Sequence, residues 1–165
     1  MVISQKTGNL QDFENNNLPV DWLELEWFET QKRILHKRSR SGMQISMKFM
    51  GENQRLTEGD ILVSDTEKII AVSILPCDVI VIRPASMQEM AAICYEIGNK
   101  HLPLFYYHEE LLVAYDAPLF KLLSASGYSL KQDFRKLLNP LKTTVEPHGS
   151  SKSLFAKIME LTGEK

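Results

Sequence analysis

Apolar and polar residues alternate along the first half of the chain in short runs. The runs 23–27 and 43–49 place an apolar residue at every second position, which is the period of a strand with one face in solvent. The run 69–75 is apolar almost throughout, as expected of a buried strand. Glycine-containing turns separate these runs. We therefore predict a small N-terminal antiparallel β domain over residues 1–75.

The second half of the chain contains two segments with helical spacing of apolar residues. Ser86 and Glu89 have the spacing of a capping box. Apolar residues then recur every three or four positions up to Gly98, where we expect the first helix to end. Asp116 can cap a second helix, which we expect to end at Gly127. The pattern therefore predicts two α-helices in this half.

Strand-like runs precede, separate and follow the two predicted helices. They lie at 79–82, 102–107, 111–115 and 128–134. The resulting order, β-α-β-β-α-β, is that of a ferredoxin-like domain, which we predict over residues 76–142. The small and polar residues of the segment 143–165 predict a flexible C-terminal tail. The predicted fold class is thus α+β.

Composition narrows the class of protein. The chain has 165 residues with a net charge of −2, which disfavours a protein whose whole surface binds nucleic acid. No apolar run approaches the roughly 20 residues that span a bilayer, and the first ten residues lack a signal-peptide core, so we expect a cytoplasmic protein without a membrane segment. Cys77 and Cys94 form no C-x-x-C motif, and we expect both to be reduced, partly buried apolar residues.

The sequence contains none of the common enzyme motifs. It has no G-x-S-x-G nucleophile elbow, no H-E-x-x-H, no Walker loop and no G-x-G-x-x-G. Zinc-finger spacing is also missing. We therefore expect a protein without catalytic activity.

One of the four histidines, His101, has a fixed position in the predicted fold. It lies three residues after Gly98 and immediately before a strand-like run. The C-terminus of a helix carries partial negative charge, which favours a cation nearby, and imidazole is a common metal ligand. His101 is therefore a candidate metal ligand, with a structural or surface role as the alternative.

The other three histidines have less definite positions. His36 lies in the basic run 32–40, which is either a binding patch or a solvated strand face. His108 falls in a predicted turn, where surface histidines are common. His148 lies in the predicted tail, and from there it can reach a metal that is held elsewhere.

The segment around His101 resembles the signature Y-x-x-G-N-[RK]-H-x-[PA] of the UreE family, the nickel metallochaperones of urease maturation. The matching residues are Tyr95, Gly98, Asn99, Lys100, His101 and Pro103. The turn 56–62 is similar to the family's L-x-x-G-D-x-L motif, and 119–127 resembles its closing helix. Two departures are Lys100, where arginine is commoner, and 115–117, which lacks the H-x-H pair of some relatives. The resemblance covers residues 1–143.

The resemblance implies a nickel-binding metallochaperone that delivers Ni²⁺ during assembly of the urease active site. It implies a homodimer in which His101 of two protomers shares one metal, with His148 as an auxiliary ligand. Zn²⁺ and Cu²⁺ also suit imidazole and could bind in vitro. The family's partners are the urease GTPase UreG and the urease apoprotein assembly complex, and its N-terminal domain is of a peptide-binding type.

Two other functions are compatible with the residues. One is a protein-interaction module, in which the β domain and the basic strand dock a partner and metal binding is incidental. The other is a nucleic-acid binder that uses the basic run 32–40 with Trp22 and Trp27. The net negative charge and the resemblance favour the metallochaperone, without nucleic acid or membrane as a partner.

Overall fold

The computed structural model of the chain describes residues 1–13, 18–49 and 55–141. These residues form eleven strands, two α-helices and a short 3-10 helix at Trp27–Glu29. The elements are β1 Val2–Ile3, β2 Gly8–Asn9, β3 Val20–Leu25, β4 Ile34–Arg38, β5 Gln44–Lys48, β6 Asp60–Ser64, β7 Ile69–Ile74, β8 Cys77–Ile82, α1 Met87–Asn99, β9 Phe105–Tyr107, β10 Glu110–Ala114, α2 Ala117–Ala125 and β11 Leu130–Arg135. Neither described helix combines the length and apolarity that a membrane span requires. The predicted tail, 143–165, lies outside the described residues.

The N-terminal part is a sandwich of two sheets. One sheet has the strand order β1-β5-β4 and the other has the order β2-β6-β7-β3. Their inward side chains form one core, which includes Leu23, Leu25, Leu35, Ile45, Met47, Phe49, Ile70 and Val72. The alternation over 43–49 therefore marks inward and outward positions as predicted.

Two strand pairs of this part, β1–β5 and β3–β7, are parallel. The other three pairs are antiparallel. Between β3 and β7 the chain crosses to the other sheet to form β4 and β5, and such a crossing lets the returning strand run in the same direction. Local periodicity contains no information on strand direction, so the sequence could not predict these two pairs.

The turn before β6 is fastened by a buried aspartate. Asp60 is 2% exposed, and its carboxylate accepts hydrogen bonds from Thr57 N at 2.7 Å, Lys6 Nζ at 2.9 Å and Asn9 Nδ2 at 3.1 Å. Gly59 has φ +77°, and a Cβ there would lie 3.1 Å from Asn9 Oδ1. The Gly-Asp pair of the turn is thus required by backbone conformation and by space, and it joins β2 to β6.

The C-terminal part confirms the predicted β-α-β-β-α-β order. Its sheet has the strand order β11-β8-β10-β9, and all three pairings are antiparallel. Both helices pack on one face of the sheet, in a core that includes Ile80, Ile82, Ile93, Ile97, Leu111, Val113, Leu119 and Leu123. The other face buries Val79, Val81, Phe105 and Leu112 with Leu137.

Both helices begin at the predicted caps. Ser86 Oγ accepts a hydrogen bond from Glu89 N at 3.1 Å, and the Glu89 carboxylate accepts one from Ala85 N. Asp116 Oδ1 accepts one from Leu119 N at 2.8 Å. These bonds satisfy backbone N–H groups that have no partner within the first turn of a helix.

The residues after β11 join the two halves of the molecule. Lys136 Nζ donates to Glu58 Oε1 at 2.7 Å, and Leu138 packs against the N-terminal core. On the same side, the Trp27 ring meets the Phe105 ring edge-on, with centroids 5.8 Å apart. The C-terminal sheet is therefore held between its own helices and the N-terminal half.

Candidate functional site

The end of α1 differs from the sequence prediction. Gly98 lies within the helix, which ends at Asn99, and the left-handed backbone conformation is found at His101, with φ +55°. His101 N donates to Gly98 O at 2.9 Å, and Leu102 N donates to Ile97 O at 3.4 Å. This pair of bonds defines a Schellman motif. Ile97 and Leu102 also pack in the same core, and that apolar contact determines which residue becomes left-handed.

The left-handed position of a Schellman motif is usually a glycine. An L-residue there brings its Cβ close to the following carbonyl oxygen, at a cost of about 1 kcal/mol or more. Histidine is among the non-glycine residues that adopt this conformation most often. His101 therefore occupies a position where glycine would relieve strain, and such outliers are found preferentially at functional sites.

The other side of the His101 loop is fastened by strand pairing. β9 pairs with β10 on one edge, and on its other edge Tyr106 N donates to Asn139 O at 2.9 Å and Leu141 N donates to Leu104 O at 2.7 Å. The backbone on both sides of His101 is thus fixed, whereas the His101 side chain is exposed. The chain after Leu141 consequently departs close to the His101 loop.

The surface of α1 that leads to this loop is unusually apolar. Met87 is 88% exposed and Tyr95 is 72% exposed, and Ala91 lies between them on the same helix face because residues four apart are aligned. The loop lies at the C-terminus of this helix, where the partial negative charge of the helix favours a cation. An exposed imidazole therefore lies at the end of an apolar stripe.

The structure places the other described histidines on different elements. His36 is on the outward side of β4, where its Nδ1 lies 2.8 Å from Ser46 Oγ. His108 is in the turn between β9 and β10, with φ +52°. Its ring meets the Tyr107 ring edge-on, with the two ring centroids 4.3 Å apart. His148 lies outside the described residues.

No single described region supplies a complete set of metal ligands. Within 1–13, 18–49 and 55–141, no three His, Cys, Asp or Glu side chains are grouped so that they could hold a metal ion. A metal at His101 with three or more protein ligands would therefore need at least one ligand from a second molecule or from residues outside these ranges.

The two cysteines are partly buried on opposite faces of the C-terminal sheet. Cys77 packs on the face of the C-terminal sheet opposite the helices, and Cys94 packs on the helix side. Burial raises the pKa of both thiols, and at Cys77 the carboxylates of Glu26 and Asp78 raise it further. Because the thiolate is the form that binds metal, both side chains act as small apolar residues.

A cleft of about 850 Å³ lies beside the β9–β10 turn, away from His101. The Glu110 carboxylate in this cleft accepts hydrogen bonds from Arg135 Nη1 at 2.6 Å and Arg83 Nη2 at 2.7 Å. The bond from Arg135, followed by that from Arg83, holds the pKa of Glu110 below its usual value although burial opposes this. These bonds join the first residue of β10 to Arg83 and to Arg135 in β11, and we assign the cleft a structural role.

The sequence analysis identified His101 but missed the residues that hold its surroundings. Leu141 fastens the outer edge of β9, and Lys136 joins the two halves. The short apolar run around Leu137 and Leu138 was the only signal that the chain remains packed after β11.

Comparison with protein-family models gives two adjacent matches. The model described as the N-terminal domain of the UreE urease accessory protein matches residues 3–75, and the model of the C-terminal domain matches residues 77–151. Together the two models extend over most of the chain.

Curated proteins give the same result. The urease accessory protein UreE of Flavobacterium johnsoniae is 48% identical over 163 residues, which cover 98% of this chain and 99% of that protein. UreE of Acetivibrio thermocellus is 38% identical over 93% of this chain and 98% of that protein. UreE of Helicobacter acinonychis is 38% identical over 90% of this chain and 89% of that protein.

Proposed function

Because the chain belongs to the UreE family of urease accessory proteins, we propose that it carries Ni²⁺ to urease while the urease active site is assembled. Family membership gives the chain a chaperone role in urease maturation, which is not an enzymatic role. The identity of the cargo as nickel, the ligands and the dimer are parts of the proposal.

The observation that carries the proposal is the fixed and exposed position of His101 at a helix C-terminus. Its backbone is held left-handed by the Schellman bonds and by the packing of Leu102, while its imidazole is exposed at a helix C-terminus. A glycine at this position would make the loop more stable. The presence of histidine is explained if its side chain binds a cation, since imidazole is a suitable ligand for nickel.

We propose that two protomers supply one His101 each to a shared metal. The described part of one chain offers no group of three ligands, and two-fold symmetry brings the same residue of both subunits to one axis. The exposed stripe of Met87, Ala91 and Tyr95 leads to His101, and it is a suitable surface for contact between the two copies.

His148 is proposed as an auxiliary ligand. It follows Leu141 by seven residues, and Leu141 is bonded to Leu104, three residues from His101. Seven residues of extended chain span at most about 24 Å, and the three residues from Leu104 to His101 span at most about 10 Å. The covalent link is therefore long enough for His148 to reach a metal at His101.

A site of this composition is suited to transfer of the metal. Neutral imidazole ligands bind Ni²⁺ firmly, and Zn²⁺ or Cu²⁺ would also bind in vitro. A ligand from a terminal segment can be displaced by a partner without unfolding the domain. We propose that the protein acts in the cytoplasm and passes the metal to the urease GTPase UreG and the urease apoprotein assembly complex.

Metal titration tests this proposal. We expect isothermal titration of the full chain with Ni²⁺ to give about one tightly bound metal per dimer, with native mass spectrometry giving the mass of the same sample. His101→Ala should remove most of the affinity and leave the circular dichroism spectrum unchanged. Undiminished stoichiometry and affinity in His101→Ala would refute the proposal.

A further inference from the structure

The hairpin formed by β4 and β5 has a charge opposite to that of the whole protein. Residues 31–48 contain six lysines and arginines and no aspartate or glutamate, although the chain as a whole has a net charge of −2. This hairpin and the residues just before it therefore carry a local excess of positive charge.

Two acidic residues from other segments form ion pairs with three of the six cations. Lys32 and Lys37 form ion pairs with Glu29, and Arg40 forms one with Glu24. Among the ion pairs of the described residues none involves the remaining three cations, which are Arg33, Arg38 and Lys48. Within the described part of the chain, these three cations thus have no carboxylate in an ion pair with them.

Two of these cations lie on the solvent side of the sheet β1-β5-β4. Leu35, Ile45 and Met47 point into the sandwich, so the alternate residues point outwards. We call these residues the outward face: Val2, Ile34, His36, Arg38, Gln44, Ser46 and Lys48. Val2 is 70% exposed and Ile34 is 62% exposed, and Ile34 pairs with Lys48, so apolar surface lies beside the charges.

The register of the strands sets the spacing of the two cations. Arg38 pairs with Gln44, whereas Lys48 pairs with Ile34. Arg38 and Lys48 are therefore four residues apart along the strand direction, which is about 13 Å at the rise of a β-strand. Carboxylates four residues apart in an extended peptide have the same spacing.

We propose that the outward face binds an acidic segment of a partner protein, in an extended conformation, with its carboxylates on Arg38 and Lys48 and an apolar residue over Ile34. The occupant follows from charge complementarity, since the face carries unbalanced positive charge and contains no acidic side chain. The small area of a three-stranded face makes the contact weak and reversible.

A nucleic acid fits this face less well. Binding of single strands relies on aromatic side chains on which the bases stack, and the outward face has no Phe, Tyr or Trp. A long polyanion would also meet the negative charge of the rest of the protein. A short acidic segment interacts mainly with charges within one Debye length, about 8 Å at physiological salt.

Fluorescence anisotropy with a defined probe tests the proposal. The probe is a fluorescein-labelled decapeptide of eight glutamates and two central leucines, and its glutamine analogue and a ten-nucleotide oligothymidylate serve as comparisons. The variant Arg38→Glu/Lys48→Glu reverses the charge of the outward face. Arg38→Gln/Lys48→Gln neutralises it with less risk to folding. Lys121→Glu/Lys131→Glu changes the net charge equally on the C-terminal part.

We expect the charge reversal to weaken peptide binding about tenfold or more and the neutral variant to weaken it about threefold, in line with exposed ion pairs. The Lys121→Glu/Lys131→Glu control should bind like the unmodified chain, and the glutamine peptide should not bind. Equal binding by the Arg38→Gln/Lys48→Gln variant and the unmodified chain would overturn the proposal. So would oligothymidylate binding that is tighter than that of the acidic peptide.

Discussion

Two histidines of the described chain have the same unusual backbone conformation at opposite ends of β9. His101 has φ +55° before the strand and His108 has φ +52° after it. Both replace the glycine that such positions favour. A left-handed histidine is therefore not by itself evidence of a metal site, and the surroundings must distinguish the two.

The surroundings of the two side chains differ. The His108 ring packs against its neighbour Tyr107. His101 instead lies at a helix C-terminus, beside an exposed apolar stripe and near the point where the chain leaves Leu141. The position at the helix C-terminus and near Leu141 supports the proposal that His101, rather than His108, binds the metal.

The two loops are also fastened by different forces. The His101 loop is held by backbone hydrogen bonds and by the packing of Leu102. The turn with His108 begins β10, whose first residue, Glu110, is bonded to Arg83 and Arg135. The interactions that hold the His101 loop are insensitive to pH, whereas those at the start of β10 depend on the charged carboxylate of Glu110.

Glycine substitution at the two positions gives the largest contrast. We expect His101→Gly to lower Ni²⁺ affinity by about 100-fold or more, because each protomer loses a ligand, while His108→Gly keeps the affinity of the unmodified chain. Both variants relax the same strain, so strain cannot explain a difference. Isothermal titration of both proteins checks this. A similar loss in both variants would contradict the distinction between the two histidines.

Removal of the Glu110 charge tests how the turn with His108 is held. Glu110→Gln should lower the free energy of unfolding at pH 7 by about 2 kcal/mol, since two charge-assisted hydrogen bonds are weakened. The pKa of Glu110 is lower in the folded state than in the unfolded chain. The charged carboxylate therefore stabilises the fold fully at a pH above the unfolded-state pKa, and this stabilisation is lost as the pH falls through the folded-state pKa.

Urea unfolding at several pH values measures this effect. The difference between Glu110→Gln and the unmodified chain should therefore narrow as the solution becomes strongly acidic. The Ni²⁺ affinity at neutral pH should stay unchanged, since the cleft does not include His101. A difference that is constant with pH would show that the carboxylate charge is not what fastens the turn.

Loss of His148 should have a smaller effect than loss of His101. We expect His148→Ala to weaken Ni²⁺ binding by about tenfold, because an auxiliary ligand on a long link contributes less than a fixed pair. The titration used for the glycine variants gives this value directly. Should His148→Ala abolish binding while His101→Ala does not, the order of importance of the two ligands would be reversed.

The smallest expected effect concerns stability. At both 101 and 108, the glycine variant should have a free energy of unfolding about 1 kcal/mol higher than the alanine variant, because both positions are left-handed. At Tyr95, inside α1, the sign should reverse because glycine is the poorer helix former. Thermal unfolding of the six variants checks both signs. Equal stability of His101→Gly and His101→Ala would remove the evidence that His101 is strained.

The sequence predicted those features that depend on neighbouring residues. The caps at Ser86 and Asp116, the alternation of β5 and the end of α2 near Gly127 all follow from local chemistry, and the structure confirms them. The end of α1 was predicted at Gly98, which is wrong by one residue because Leu102 must reach Ile97 to complete the core.

Features that depend on distant contacts could not be predicted in this way. The parallel pair β3–β7 and the bond from Leu141 to Leu104 join residues that are far apart in sequence. The position of His101 was predicted, but its left-handed conformation was not, since the choice between Gly98 and His101 is made by packing. The sequence therefore indicated the candidate ligand, and the structure showed that its backbone is fixed on both sides.

The location of bound nickel tests the central claim most directly. Crystals of the full chain grown with Ni²⁺ give an anomalous difference map at the nickel absorption edge, which identifies the metal independently of the protein density. The account predicts one nickel peak between two protomers, within bonding distance of both His101 imidazoles. Peaks at His108 or His36, with the two His101 side chains far apart and without metal, would contradict it.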